Sequence, residues 1–230
     1  MTAVFLKSDC EPDSEMAKIE ACVTAFLSLL NPAIKIDTIA QPEDIVVNLT
    51  ATNRHVGAAG YHVNLKTPDH PTGVPTAFVY PQQIGGLYGY YRPAIYGKDI
   101  TATVLGKRVV IKKGKLRTTE KFLPGAVTII CHEIAEALAD GDVATYTAPD
   151  QLGRRILKEV CDWVEGTYFT RVIDGQTIVF PNVALDAFCD VNNKVGPYDL
   201  MGLVKAPFQY VGPGKMAWAL DSTGKLVRIV

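Results

Sequence analysis

His132, Glu133, Glu136 and Asp140 stand at positions i, i+1, i+4 and i+8 of one apolar stretch, and that spacing suits a definite chemistry. A zinc peptidase needs two ligands one helical turn apart. Beside the first it needs a glutamate able to take a proton from the attacking water, which is the physical content of H-E-x-x-H. The chain reads His132-Glu133-Ile134-Ala135-Glu136, so glutamate occupies the place of the second histidine. Carboxylate oxygen binds zinc, but exchanging a neutral imidazole for an anion lowers the net charge of the site and makes water held there less acidic. The spacing predicts a metal site with Glu133 as general base, and supports binding more firmly than efficient hydrolysis.

A third ligand must come from elsewhere. Glu159, Asp162 and Glu165 lie in Glu159-Val160-Cys161-Asp162-Trp163-Val164-Glu165. A helix predicted over about 150–164 sets them one turn apart, away from an apolar face of Ile156, Leu157, Val160, Trp163 and Val164. The competing reading is a wet face, with Arg155 and Glu159, and Lys158 and Asp162, as ordinary i,i+4 ion pairs. Asp142 is the alternative ligand, ten residues after His132, the offset at which metzincins place their third. Ala139 stands where that pattern wants glycine, so Gly141 would have to make the turn. His62 is the upstream histidine that can face the cleft, against the plainer role of a hydrogen-bonded structural histidine.

The element that must carry the site is a helix over about 124–139. At about 100° per residue, Val127, Ile130, Cys131, Ile134 and Leu138 fall in an arc of about 100°, and His132, Glu133, Glu136 and Asp140 fall in a second arc nearly opposite. One face is core and the other is a site. Upstream, apolar residues spaced three and four apart predict a helix over 13–30, capped by Asp13 or Ser14 and stopped by Asn31-Pro32. Ile34 to Ile39 and Ile45 to Thr50 read as core strands, and 53–75 as a long irregular segment. Thr76 to Pro81, bracketed by prolines, reads as a sheet-edge strand. Hairpins are predicted around Gly106-Lys107 and Asp174-Gly175. The expectation is one α+β domain over 1–230, with a sheet and the active helix in 1–145 and a second acidic helix and hairpins in 146–230.

Composition narrows the function. Of 230 residues 48% are hydrophobic and 20% charged, with a formal net charge of -1, the balance of a globular protein with no global pull toward nucleic acid or an anionic surface. Lys107, Arg108, Lys112, Lys113, Lys115, Arg117 and Lys121 make a basic stretch, but no stacking aromatics are interleaved with them, which argues against nucleic acid as a partner. Tyr88, Tyr90, Tyr91 and Tyr96 can line a groove or pack in the core. The longest apolar run is too short and too charged to span a bilayer, which needs about 20 apolar residues. Five scattered cysteines without a C-x-x-C pair, and an amino terminus lacking a basic region and a long apolar core, predict reduced thiols in an intracellular protein. No Walker loop, dinucleotide fingerprint or nucleophile elbow is present.

With the H-E-x-x-E-x-x-x-D helix and the E-V-C-D-x-V-E segment both in view, the chain resembles a group of phage and prophage zincin-like proteins. Gly60-Tyr61-His62, Gly73 to Val79, Tyr198-Asp199-Leu200 and Ala206-Pro207-Phe208 extend the likeness over about 60–208. Trp163 stands where that group usually has proline. The resemblance implies a zincin-like fold with a small mixed sheet, whose edge strand lies beside the active helix and can hold an extended peptide. It implies His132, Glu136, Asp140, Glu159 and Asp162 as metal residues, zinc as the cofactor, and a phage-encoded protein found in the host cytoplasm during infection or in the virion. Two functions follow. One is a zinc peptidase acting on peptide or protein; the other is a catalytically silent virion or assembly protein that keeps the fold and meets other phage proteins.

Overall fold

The computed structural model describes residues 3–41, 44–51, 58–68, 70–84, 86–104 and 107–230. In chain order the first elements are β1 (Val4–Ser8), α1 (Asp13–Leu30), β2 (Ile36–Asp37), β3 (Ile45–Leu49), β4 (Gly60–Leu65) and β5 (Val74–Val79). They build a five-stranded sheet of order β2-β1-β3-β5-β4, parallel except for β4, which runs antiparallel to β5. Short antiparallel pairs follow: β6 (Tyr90–Arg92) with β11 (Lys121–Leu123), β7 (Ile95–Tyr96) with β10 (Leu116–Thr118), and β8 (Ile100–Val104) with β9 (Lys107–Lys112). Then come α2 (Ala126–Ala139), the hairpin β12 (Tyr168–Ile173) and β13 (Gln176–Pro181), and the pair β14 (Trp218–Leu220) and β15 (Leu226–Arg228). The α+β class expected from the sequence is the class observed. Among the described residues no helix is long and apolar enough to cross a membrane.

Two strand expectations need correction. Val74–Val79 lies inside the sheet between β3 and β4, not at its edge. The prolines bracket its ladder with β3, which runs from Thr76 to Val79, between Pro75 and Pro81, so neither missing N–H is needed there; on the β4 side Pro75 pairs with Asn64 near the strand's start. The edge strand on that side of the sheet is β4, formed by residues that the sequence placed in an irregular segment. Its register sets His62 opposite Ala77, and His62 is the one buried position along it. The predicted β-hairpin turn at Gly106 lies outside the described residues, although β8 and β9 pair on either side of it.

Both α1 and α2 form where the periodicity puts them, and their apolar stripes meet in one core of Val23, Phe26, Leu27, Val127, Ile130 and Ile134 with the sheet residues Val4, Val47 and Val79. Neither Asp13 nor Ser14 caps α1; Pro12 precedes it without a side-chain cap, while Asn31 ends it as expected. At the start of α2 the amides of Ala126 and Val127 donate to the carbonyls of Gly86 and Leu87, meeting needs that a helix cannot meet itself. Thr128 Oγ1 accepts from Gly125 N and donates to Val179 O, pinning the helix to β13.

The second predicted helix does not form. Asp150 Oδ1 accepts the amides of Leu152 and Arg154, its other oxygen takes Arg154 Nε at 2.9 Å, and Gly153 turns the chain at φ +75. Beyond that turn, Ile156 and Leu157 form isolated β-bridges to Ala219 and Tyr146. Only Asp162–Val164 coil, as one short 3-10 turn. The apolar residues of the segment are buried as predicted, but they reach the core from the bridged residues Ile156 and Leu157, the turn at Val160 and the 3-10 turn of Trp163 and Val164 rather than from one helix face. Trp163 is fully buried and stacks on Phe188 at 4.8 Å. The Asp162 and Trp163 carbonyls accept the amides of Met216 and Val211, so the carboxy-terminal chain clamps the segment in place. Asp199, within a motif that carried the resemblance, is structural: it is buried and accepts Asn182 Nδ2 and the amides of Leu203 and Val204.

Candidate metal centre

The polar face of α2 is not solvated. Strand β4 and the 159–165 segment cover it, so Glu133 and Glu136 are buried beside the imidazoles of His62 and His132. His132 Nε2 lies 3.2 Å from Glu136 Oε2 and 3.6 Å from Asp162 Oδ1. His62 Nδ1 lies 3.5 Å from Glu133 Oε2 and 3.6 Å from the same Glu136 oxygen. Two triads of donors result, His132-Glu136-Asp162 and His62-Glu133-Glu136, and within each triad every donor is within 4.8 Å of the others.

The far nitrogen of each imidazole faces another carboxylate. His132 Nδ1 is 3.5 Å from Glu165 Oε2, and His62 Nε2 is 3.8 Å from Glu159 Oε2. Carboxylates so placed fix the orientation of a ligating histidine and raise its basicity. Tyr168 donates its hydroxyl to Glu165 at 3.1 Å, and Asp162 N donates to Glu136 Oε1 at 3.3 Å, so the outer groups are themselves held. Among the described residues no lysine or arginine pairs with any of these carboxylates.

The electrostatic result is an excess of carboxyl groups over imidazoles in a buried space, which protons must offset where no cation does. Burial pushes the Glu159 carboxyl up to about 8 and that of Asp162 to about 7, and in both the nearby Glu136 carboxylate adds to the rise. Burial alone would lower the His62 pKa, but Glu133, Glu136 and Glu159 more than reverse that and carry it to about 10. The same contest, won by Glu136, raises His132. Glu136 goes the other way: both imidazoles outweigh its burial and hold it ionised. A carboxyl whose pKa is raised on folding contributes stability that is full below its unfolded value and is lost as pH rises through the folded value. Cation-free protein is therefore expected to lose thermal stability progressively between about pH 4 and 8, where Asp162 and Glu159 are ionised in the unfolded chain but still protonated in the folded one, and zinc is expected to reduce the loss. Melting temperatures taken with chelator across that range check it; a flat profile would contradict the carboxyl excess.

Donor spacing decides what the cluster fits. Good N–H···O hydrogen bonds run about 2.7–3.2 Å, and all but one of the contacts inside the triads are longer. Four ligands at about 2.0–2.1 Å from zinc stand about 3.3–3.4 Å apart along each tetrahedral edge, and the donor contacts of 3.2, 3.5, 3.6 and 3.6 Å fall on either side of that spacing. His62 is 8% exposed and its Nε2 has no hydrogen-bond partner, as is true of Asp140 Oδ2. Anionic oxygens with two imidazoles suit a divalent cation of the zinc type.

The remaining sequence candidates have other work. Asp140 ends α2, and its Oδ1 accepts the amides of Ala144 and Thr145. Asp142 points away, accepting Asn64 Nδ2 at 2.7 Å, so the metzincin-style third ligand is not assembled. Glu159 reaches His62 rather than joining a triad. The i,i+4 ion pairs of Arg155 and Lys158 have no helix to carry them. Sequence reasoning rated His62 below its place here; the signal available was the position of a histidine between apolar neighbours in a strand-length run.

Gly60 lets β4 approach α2. A Cβ there would lie 2.6 Å from Ile129 Cγ2 and 2.8 Å from Glu133 Oε1. Gly60→Ala is expected to cost about 1–3 kcal/mol through overpacking and to weaken zinc binding by moving His62. Denaturation midpoints with and without zinc test this, and an alanine variant as stable as the parent would show that the strand can give way.

Compared with known proteins, the chain matches no protein-family model, no curated protein and no solved structure. Its function therefore rests on the chemistry of the site itself.

Proposed function

We propose that the chain is a zincin-like metal-dependent hydrolase of peptide bonds. His132, Glu136 and Asp162 hold a zinc ion, and Glu133 is the general base. The observation that carries this reading is the buried His132 triad, in which one imidazole nitrogen faces two carboxylate oxygens at 3.2 and 3.6 Å, on either side of the ligand spacing around one tetrahedral zinc ion. When bound, the cation supplies Lewis-acid polarisation of the scissile carbonyl and of water. The chain's own residues do the rest. Glu165 orients His132, the amide of Asp162 orients Glu136, and Glu133, one residue from the ligand His132, stands where it can take the proton. Strand β4, outermost in its sheet and in contact with α2, offers a place for an extended peptide to pair as a further strand.

The resemblance to phage proteins supports an origin in a phage or prophage, with the protein working in the host cytoplasm or carried in the virion. A second reading, a catalytically silent virion or assembly component, draws on one observation: Glu133 Oε2 is already 3.5 Å from His62 Nδ1, an engagement that a free base would not have. Chelator-treated protein reloaded with zinc and incubated with an unfolded protein separates the two. Fragments that appear only with zinc support the hydrolase; one tightly held zinc per chain with no fragment from any substrate would leave the silent reading.

A further inference from the structure

The zinc site just described uses one triad, and the pocket contains a second. We propose that it takes two divalent cations, the second held by His62 Nδ1, Glu133 Oε2 and Glu136 Oε2, with that single glutamate oxygen shared between the two ions. The inference rests on the metal-centre reading and extends it.

Three observations carry it. The five donors fall into two triads with Glu136 common to both, rather than into one group within mutual reach. Glu136 Oε2 is 3.2 Å from His132 Nε2 and 3.6 Å from His62 Nδ1, so one oxygen faces both imidazoles while Oε1 is occupied by the Asp162 amide. Finally, the two halves repeat one design: each has an imidazole with one nitrogen turned to the shared oxygen and the other turned to an outer carboxylate, Glu165 for His132 and Glu159 for His62. His62 is not on the surface. Its side chain is 5% exposed, and its Nε2 is buried without a hydrogen-bond partner.

Charge points the same way. Glu133, Glu136, Asp162, Glu159 and Glu165 converge on two imidazoles, and one divalent cation leaves part of that negative charge uncompensated in a buried space. A second ion at the His62 triad offsets most of it, with donors of the hardness that zinc, manganese and cobalt accept. Glu133 then has two roles, base when only the His132 triad is filled and ligand when both are.

The test is stoichiometry, which needs no substrate. Full-length chelator-treated protein is dialysed against buffered free manganese or zinc, and bound metal per chain is measured by elemental analysis. The wild type is expected to saturate at two equivalents, and His62→Gln and His132→Gln at one each. In the manganese-loaded wild type, electron paramagnetic resonance is expected to show the exchange coupling of two ions sharing a ligand atom, a readout that requires no variant to fold. Saturation of the wild type at one equivalent, or two equivalents retained by His62→Gln, would overturn the second position while leaving the His132 site intact. No binding by the wild type would overturn both.

Discussion

Zinc supplied at a hundredfold excess over its dissociation constant is expected to stabilise the folded chain by about 2.7 kcal/mol, because only the folded state brings the donors together. Those donors come from β4, α2 and the 159–165 segment, so an unfolded chain offers at most a histidine and a glutamate one turn apart. In a chain of 230 residues the gain corresponds to a rise in melting temperature of about 5–11 °C. Glu136→Gln is expected to abolish the rise, since its Oε2 belongs to both triads and a neutral amide is a poor substitute for the shared anion. Scanning calorimetry of metal-stripped protein, with and without zinc, measures both effects. A Glu136→Gln variant that keeps the full shift would place the cation somewhere other than this pocket.

Glu133→Gln is expected to lower kcat for peptide cleavage by about 10²–10⁴-fold, the usual contribution of a positioned general base. Zinc held by the His132 triad at one equivalent should be unaffected, because Glu133 is not a member of it. Burial raises the Glu133 pKa, with His62 and then His132 drawing it back part of the way. The net rise brings the carboxylate closer in basicity to neutral water chemistry, which is where a general base works best. Single-turnover rates on zinc-loaded parent and variant decide the matter. A glutamine variant that cleaves at the parental rate with bound zinc would remove Glu133 from the mechanism.

The helix bearing the site was legible because it is local. The apolar spacing of Val127, Ile130, Cys131 and Ile134 fixes a buried stripe, and His132 and Glu136 then share the opposite face whatever surrounds them. The segment 150–164 was misread for a related reason. Its apolar residues recur at the three- and four-residue spacing of a helix, while the decisive features, the Asp150 side-chain turn and the bridges to Tyr146 and Ala219, depend on partners outside any one helical repeat. Propensity lost to tertiary pairing there.

By itself the sequence determined the α+β class, the helix with its His132, Glu133 and Glu136 on one face, and the acidic partners that follow it. Only the tertiary structure decided that β4 rather than β5 is the edge strand, that His62 faces Glu133 and Glu136, and that Asp162 rather than Asp142 completes the His132 triad. The physical reason is range. Spacing along one helix is set by about 3.6 residues per turn and survives any context, whereas a strand far away in sequence meets that helix only once packing and register have chosen its neighbours.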